Sequence, residues 1–98
     1  MKTTILEFLQ SIPTNKVSTY KHIANKFHTH PRAIARILAS NANQDIYPCY
    51  KIICSDGKIG GYNLGTAEKI RRLQADGINI IDNAISRKYI RNPLDNTA

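Results

Sequence analysis

The sequence predicts a mainly α-helical domain with a small β hairpin, arranged as a winged helix-turn-helix. Two short helical segments meet at the break "HTHP", which is typical of a helix-turn-helix. The stretch "INIIDNAIS" reads as the hairpin, with its turn at Asp82-Asn83. A formal net charge of +7 over 98 residues indicates a polyanionic partner, with solubility alone as the alternative explanation.

The first half of the chain is expected to form three short helices. Thr4 can cap the first, which runs to about Ser11 and is ended by Pro13. Ser18 is the expected N-cap of the second helix, within "VSTYKHIANKF". Pro31 suits the first turn of the third helix, which continues through "RAIARILASN".

Two arginines indicate that the third of these helices contacts DNA. Arg32 and Arg36 are four residues apart, and they therefore share a face of the helix. An αα-hairpin within a small helical bundle is the alternative interpretation of the same two segments. The net charge and the placement of the arginines favour DNA binding.

The second half of the chain is expected to hold a short strand, a fourth helix and the hairpin. "KIIC" is an apolar run that can pair as a strand, and Asp56-Gly57 follows it as a tight turn. "TAEKIRRLQAD" is an amphipathic helix that Thr66 can cap and Gly77 closes. No repeat or linker separates these elements. Residues 1–91 are therefore expected to form one domain, with residues 92–98 as a flexible C-terminal tail.

The composition excludes several classes of protein. No secretory signal and no apolar run of bilayer length is present, so an intracellular, cytoplasmic location is expected. Cys49 and Cys54 are too few for a disulfide scaffold and do not have the spacing of a common zinc site. His22, His28 and His30 lack a cysteine or carboxylate at ligand spacing, so no metal is expected. The glycine-rich loop "SDGKIGGYNLG" (residues 55–65) lacks the strand–loop–Lys-Ser/Thr order of a P-loop, so no nucleotide cofactor is expected.

The cysteine in "YPCYKI" follows a proline and stands between two tyrosines on an expected loop, where a reactive group would be presented to a ligand. "PCYKI", followed by "CSDGKIGGYNLGTAEKIRRLQADG", resembles the active-site region of the 6-O-alkylguanine-DNA alkyltransferases, also called methylated-DNA–protein-cysteine methyltransferases. Upstream, "IPTNKVSTYKHIA" and "PRAIARILASN" are similar to the helix-turn-helix of that family. The resemblance spans roughly residues 5–90 and implies a DNA-binding domain of the alkyltransferase type.

This resemblance implies a single-turnover repair protein. The family flips 6-O-alkylguanine out of duplex DNA and moves the alkyl group irreversibly to its own cysteine, which corresponds to Cys49. By resemblance, Arg32 fills the gap that the base leaves, and Tyr20 acts at the phosphate of the rotated nucleotide. Asn41 orders the turns of the site, and Tyr62 donates a hydrogen bond to the guanine. The implied partner is double-stranded DNA containing alkylated guanine, and a monomer without a cofactor is expected.

The remaining assignments extend the DNA surface and the base pocket. The expected DNA contacts also include Ala33, Arg36 and Lys51. The expected base pocket consists of Tyr62, Asn63, Ile52 and Pro48, and backbone groups of Cys49 and Ile52 are expected to face the base edge. Cys54 is interpreted as a small buried residue on a strand.

Two departures from the family pattern concern the activation of the cysteine. The family has a histidine where this chain has Tyr50, and a glutamate where it has Asp76, so the relay that deprotonates the thiol is altered. A tyrosine, with an ordinary pKa of about 10, is a poor base at neutral pH. In the family, the histidine acts on the thiol through a water molecule. The alternatives are that Tyr50 holds this water or that Lys51 and the basic helix lower the pKa of Cys49. We therefore expect alkyl transfer that is slower or shifted to higher pH.

Two other functions compete with the transferase. Alkyltransferase-like proteins share the fold and flip alkylated guanine, but they lack the acceptor cysteine and recruit other repair proteins. The presence of Cys49 favours the transferase over such a non-enzymatic lesion sensor. A plain helix-turn-helix transcription regulator explains the charge and the helices, but it leaves "YPCYKI" and "IGGYNLG" without a purpose.

Overall fold

The computed structural model describes residues 2–92, so residues 93–98 of the predicted tail lie outside the described residues. In chain order the elements are α1 (Lys2–Leu9), β1 (Ser18–Thr19), α2 (Tyr20–Lys26), α3 (Pro31–Ala39), a 3-10 turn (Cys49–Lys51), β2 (Ile52–Ile53), α4 (Thr66–Ala75), β3 (Ile80–Ile81), β4 (Ala84–Ile85) and a second 3-10 turn (Arg87–Tyr89). The predicted class, mainly α with a small β hairpin, is confirmed. Within residues 2–92, no helix is long and apolar enough to cross a bilayer.

Three helix starts differ from the prediction. The first helix begins before Thr4, so this residue is not its cap. Thr19, and not Ser18, caps α2, because the Thr19 hydroxyl accepts a hydrogen bond of 3.0 Å from the His22 N–H while Ser18 belongs to β1. Gly65 takes the N-cap position of α4 without a side-chain bond, and Thr66 is already helical. At α2 the capping chemistry suits both neighbouring residues, and the pairing of Ser18 in β1 leaves Thr19 as the cap.

Two short pairs of strands connect the halves of the chain. In the first pair β1 runs parallel to β2, with Ser18 opposite Ile52. This pairing brings the Cys49–Lys51 turn beside the start of α2. In the second pair β3 and β4 form the predicted hairpin, and both turn residues, Asp82 and Asn83, have positive φ values of 53° and 59°. Two consecutive residues of positive φ are what a two-residue hairpin of matching twist requires.

The core consists of two clusters that meet at β2. The first cluster packs the apolar faces of α1, α2 and α3 against Cys49 and Ile52. The second cluster collects residues around α4 and the hairpin, including Ile53 and Leu73. Successive residues of a strand point to opposite faces, so Ile52 and Ile53 each join a different cluster. The strand that follows the cysteine turn is therefore anchored on both faces.

The helix-turn-helix is built from α2 and α3, which pack against each other. Pro31 occupies the first turn of α3, as predicted, and His28 takes a positive φ of 56° in the connecting turn. Ile34 and Leu38 face the core. Arg32 and Arg36 are exposed. The second helix of the motif thus presents its basic face to solvent.

Gly77 is the glycine whose conformation the fold depends on. It follows α4 with a φ of +83°, and a Cβ placed there would lie 2.8 Å from Nδ2 of Asn15. That nitrogen donates a 2.7 Å hydrogen bond to the Gly77 carbonyl. We expect Gly77→Ala to lower the free energy of unfolding by about 1–2 kcal/mol, because it combines a left-handed backbone with a displaced amide.

The matched control for Gly77 is Gly61, where an added Cβ would meet nothing within 4 Å. Gly61→Ala should change the unfolding free energy by no more than about 0.5 kcal/mol. Denaturant titration of both variants checks the comparison. An equal loss of stability at the two positions would contradict the assigned role of Gly77.

Candidate functional site

The cysteine turn borders a cavity of about 330 Å³. The residues lining it are Tyr20, Ala35, Leu38, Ala39, Gln44, Cys49, Gly61, Tyr62 and Asn63. They come from α2, α3, the loop before the cysteine and the glycine-rich loop, so the cavity exists only in the folded chain. Its size is in the range of pockets that take small ligands. Four predicted site residues, Tyr20, Cys49, Tyr62 and Asn63, are brought together here.

Asn41 holds the cysteine in place. Its Nδ2 donates hydrogen bonds of 2.9 Å to the Tyr47 carbonyl and 2.9 Å to Sγ of Cys49. Its Oδ1 accepts a 2.9 Å bond from the N–H of Asn43, and the whole residue is buried. One side chain therefore orders the turn and contacts the nucleophilic atom.

Asn63 closes the glycine-rich loop over the end of α3. Its Nδ2 donates a 2.8 Å hydrogen bond to the Ala39 carbonyl and a 3.3 Å bond to the Asn41 carbonyl. Gln44, a cavity residue that the sequence analysis missed, donates from Nε2 to the same Asn41 carbonyl at 3.0 Å. A glutamine in a loop carries no periodic signal, so only the folded structure reveals its burial.

The thiol of Cys49 is held in its neutral form. Burial raises the pKa of Cys49, against the opposing effects of the Asn41 hydrogen bond and the Lys69 charge. Sγ also lies 3.8 Å from the Leu38 carbonyl, to which the thiol proton can be donated. The reactive thiolate is thus a minor species at neutral pH, and its fraction increases with pH.

The prediction that Lys51 contacts DNA is wrong. Its side chain is buried, and Nζ lies 2.9 Å from Oδ2 of Asp76 and 2.8 Å from the Pro13 carbonyl. An ammonium group in the interior needs such acceptors, and the turn after α1 supplies them. Lys51 therefore ties the cysteine turn to α4 and α1.

The hydrogen bonds of the Cys49 thiol in the described part of the chain involve Asn41 and the Leu38 carbonyl, and neither Tyr50 nor Asp76. Tyr50 packs against the second core cluster and lines a separate cavity with Pro48 and Asp76. Asp76 is engaged by Lys51. Cys49 and Tyr50 thus belong to different core clusters. The reason is the direction of the 3-10 turn, whose consecutive side chains point into different clusters.

Two predicted base-pocket residues also lie elsewhere. Pro48 lines the Tyr50 cavity and not that of Cys49, and the Ile52 side chain is fully buried in the core. The Cys49 N–H donates to the Tyr47 carbonyl at 2.8 Å, and the Cys49 carbonyl accepts from the Ile52 N–H. The Ile52 carbonyl accepts from Lys69. These backbone groups thus already have protein partners.

Lys69 is a second residue that the sequence analysis missed. Its side chain is completely buried, and Nζ donates hydrogen bonds of 2.7 Å to the Ile52 carbonyl and 3.1 Å to the Gly61 carbonyl. Burial lowers its pKa to about 8, against the opposing effect of Cys54 and Cys49. A signal was available, because Lys69 and the core residue Leu73 are one helical turn apart on the same face of α4.

Two tyrosines face the cavity from opposite sides. Tyr20 is half-buried, and burial raises its pKa, with smaller effects from Cys54 and Cys49. Burial also raises the pKa of Tyr62, whose hydroxyl has no hydrogen-bond partner among the described residues. Both side chains are therefore neutral phenols, and that of Tyr62 has a free donor.

Of the expected DNA contacts on α3, Arg32 and Arg36 are exposed and Ala33 is half-buried. Arg32, Ala33 and Arg36 line a shallow concavity with His30 and Pro31. Together with the net charge of +7, the two guanidinium groups make this surface suited to a polyanion.

Cys54 is more exposed than predicted. It follows β2, is only partly buried, and borders a third concavity shared with Tyr20. In the described part of the chain, no group of three His, Cys, Asp or Glu side chains is placed to hold a metal ion.

Known proteins resemble this chain in sequence and structure. A curated bifunctional methyltransferase/endonuclease of Picrophilus torridus is 42% identical over 89 residues, covering 89% of this chain and 30% of the relative. A methylated-DNA–protein-cysteine methyltransferase of Saccharolobus islandicus is 38% identical over 76 residues, covering 78% of this chain and 50% of the relative. The chain thus spans half or less of the length of these relatives.

The fold has solved counterparts. The crystal structure of S. pombe Atl1, in complex with damaged DNA containing O6-carboxymethylguanine, superimposes with a TM-score of 0.81 at 22% identity and covers 94% of both chains. The family model described as "6-O-methylguanine DNA methyltransferase, DNA binding domain" matches residues 1–78. On this match, and with the fold and the cysteine cavity in agreement, the chain belongs to the family of 6-O-methylguanine DNA methyltransferase DNA-binding domains.

Proposed function

We propose that this chain repairs DNA by taking the alkyl group of a 6-O-alkylguanine onto Sγ of Cys49. The observation that carries the proposal is the position of this thiol, which borders a cavity of about 330 Å³ beside a basic helix-turn-helix. A plain DNA-binding regulator has no use for a nucleophile in such a place. The relatives named as methyltransferases support the same chemistry.

The first step is the capture of duplex DNA. The exposed Arg32 and Arg36 on α3 attract phosphates, with Ala33 leaving room for a close approach of the backbone. Binding of this kind releases counterions and weakens with added salt. It positions the protein without reading sequence, which suits a repair protein that acts inside the cell, as a monomer, anywhere on the genome.

The second step is rotation of the damaged nucleotide into the cavity. Unstacking costs a few kcal/mol and is least costly for a weakly paired, damaged base. Arg32 stands at the start of α3, where its planar group can occupy the vacated stack, and Tyr20 faces the cavity from α2. Tyr62 then donates its free hydroxyl proton to the base, and Asn63 holds the loop that carries Tyr62.

The third step is alkyl transfer. The Cys49 thiol loses its proton to water, and Sγ attacks the alkyl carbon. A carbon–sulfur bond forms as the bond from that carbon to guanine O6 breaks. The electron pair goes to the guanine, which takes up a proton at N1. The thioether has no route back to the thiol, so each molecule reacts once.

A lesion sensor without transfer is the second candidate. The observation that favours it is that neither Tyr50 nor Asp76 makes a direct hydrogen bond to Sγ of Cys49, while burial raises the pKa of the thiol. In such a protein the cavity would hold the alkylated base, and other repair proteins would act on the bound complex.

Intact-protein mass spectrometry separates the two candidates. After incubation with a duplex containing 6-O-methylguanine, the protein should gain the mass of one methylene group, and Cys49→Ser should gain none. Cys54→Ser is the matched control and should gain the full mass. Tight lesion binding by the unmodified protein, with no change in its mass, would contradict the transfer and support the sensor.

Substitution of Arg32 should affect the flipped state more than general DNA binding. We expect Arg32→Ala to raise the Kd for a 6-O-methylguanine duplex by about tenfold more than that for an undamaged duplex. Arg87→Ala, which removes an exposed arginine from the second 3-10 turn, should leave the ratio of the two constants unchanged. Fluorescence anisotropy measures both, and an equal loss for the two duplexes would refute this division of roles.

Removal of the Tyr50 hydroxyl should leave the chemistry almost intact. Because Tyr50 lines a different cavity from Cys49, we expect Tyr50→Phe to transfer the methyl group at a rate within about twofold of the unmodified protein. Single-turnover kinetics between neutral and alkaline pH check this expectation. A large drop at all pH values would mean that the hydroxyl acts on the thiol through water.

A further inference from the structure

Lys69 carries a positive charge into the interior without a carboxylate to balance it. The side chain is 0% exposed, and none of the ion pairs in the described part of the chain includes it. Two of its three N–H donors have acceptors, the carbonyls of Ile52 and Gly61. A buried, uncompensated ammonium is costly, so its retention calls for a function.

We propose that Lys69 is the positioning residue that supplies the balancing charge for the Cys49 thiolate. The inference rests on the proposed transfer to Cys49 and deepens it. It assigns to Lys69 the electrostatic part of thiol activation, for which the sequence had pointed to Tyr50, Lys51 and Asp76.

The geometry places Lys69 against both walls of the reactive cavity. The Ile52 carbonyl belongs to the strand that follows the cysteine turn, and the Gly61 carbonyl belongs to the loop that lines the cavity beside Tyr62. One ammonium group therefore connects the strand that follows the cysteine turn with the glycine-rich loop. Its third N–H has no acceptor among the hydrogen bonds of the described residues.

The other charged groups nearby are already compensated. Lys51 is paired with Asp76, and Glu68, the neighbour of Lys69, is taken by Arg71 and Arg72. The titratable side chains whose charges act on Lys69 are the two cysteines.

Two more titratable groups face the same region, Tyr20 from α2 and Tyr62 from the glycine-rich loop, and both are held as neutral phenols by burial. Lys69 is left as the cation whose charge favours ionisation of Cys49. At neutral pH its ammonium keeps its own proton, and the thiol proton leaves to water before Sγ attacks the alkyl carbon.

The ionisation of Cys49 can be measured without DNA, which keeps this test separate from that of the transfer. The rate of alkylation by iodoacetamide reports the thiolate, and a Cys54→Ser background confines the reaction to Cys49. Lys69→Met is a neutral replacement of similar length. We expect it to lower the alkylation rate at a fixed pH near neutrality by about tenfold, or about 1.4 kcal/mol of thiolate stabilisation, and to move the pH profile to higher values.

Lys58→Met is the matched control, because it removes the same charge from an exposed site in the neighbouring turn. Its pH profile should coincide with that of the Cys54→Ser parent. A folded Lys69→Met protein with the parental profile would overturn the proposal, since a purely structural role does not move the ionisation of the thiol.

A reciprocal measurement keeps the proposal falsifiable if Lys69→Met does not fold. Coupling between two charges acts equally on both, so loss of the Cys49 thiolate must lower the pKa of Lys69. Carbon-13 NMR of the lysine side chains, in the Cys54→Ser background with and without Cys49→Ser, follows this titration. An unchanged Lys69 titration would overturn the proposal, whereas a downward shift would support it, whatever the outcome with alkylated DNA.

Discussion

The hydrogen bonds of Asn41 are the interaction on which the rest of the site depends. This residue follows the end of α3, and its side chain binds the Tyr47 carbonyl and Sγ of Cys49. Its own carbonyl accepts from Gln44 and Asn63, so the loop before the cysteine and the glycine-rich loop converge on one residue. A single buried amide therefore sets the position of the thiol relative to the basic helix α3. Each such bond contributes about 1 kcal/mol, but a buried partner left without its bond costs more.

Two buried lysines show how the same residue type serves different purposes in this fold. Lys51 has a carboxylate at 2.9 Å, so its charge is compensated and its effect is to tie α4 to the turn after α1. Lys69 has only carbonyl partners, so its field extends to the thiol. The proposed role of Lys69 would therefore supply, from another helix, an electrostatic contribution to the ionisation of Cys49 that the family obtains from a base next to the cysteine.

The sequence was a good guide at several turns and helix ends that backbone preferences decide, although the predicted caps Thr4, Ser18 and Thr66 were wrong. Pro31 at the start of α3, Gly77 after α4 and the Asp82-Asn83 turn were all predicted from backbone preferences, and the structure confirms them. The resemblance also identified side chains that do meet at the cavity. The prediction failed for Lys51, because the direction of its side chain depends on tertiary contacts. We expected it on the surface, but it is buried with the Pro13 carbonyl and the Asp76 carboxylate as its partners.

The direction of the Tyr50 side chain also depends on tertiary contacts. Adjacent residues in a 3-10 turn point in different directions, and only the packing of the two core clusters decides which of them faces the cavity. Lys69 was overlooked because a lysine on an amphipathic helix is ordinarily solvated. Its spacing from Leu73 was the available signal, but the carbonyl acceptors that make burial tolerable come from residues 8 and 17 positions away in the chain. Such long-range partners are not visible in a local pattern.

The proposed repair reaction requires that the damaged base enters the cavity beside residue 49. A crystal structure of Cys49→Ser bound to a duplex containing 6-O-methylguanine tests it most directly, because this variant leaves the lesion intact. We predict the methylated base in the cavity near Tyr62, with the Arg32 side chain inside the duplex where the base had stacked. A damaged base that remains paired and stacked in the duplex, with the cavity empty, would contradict the account.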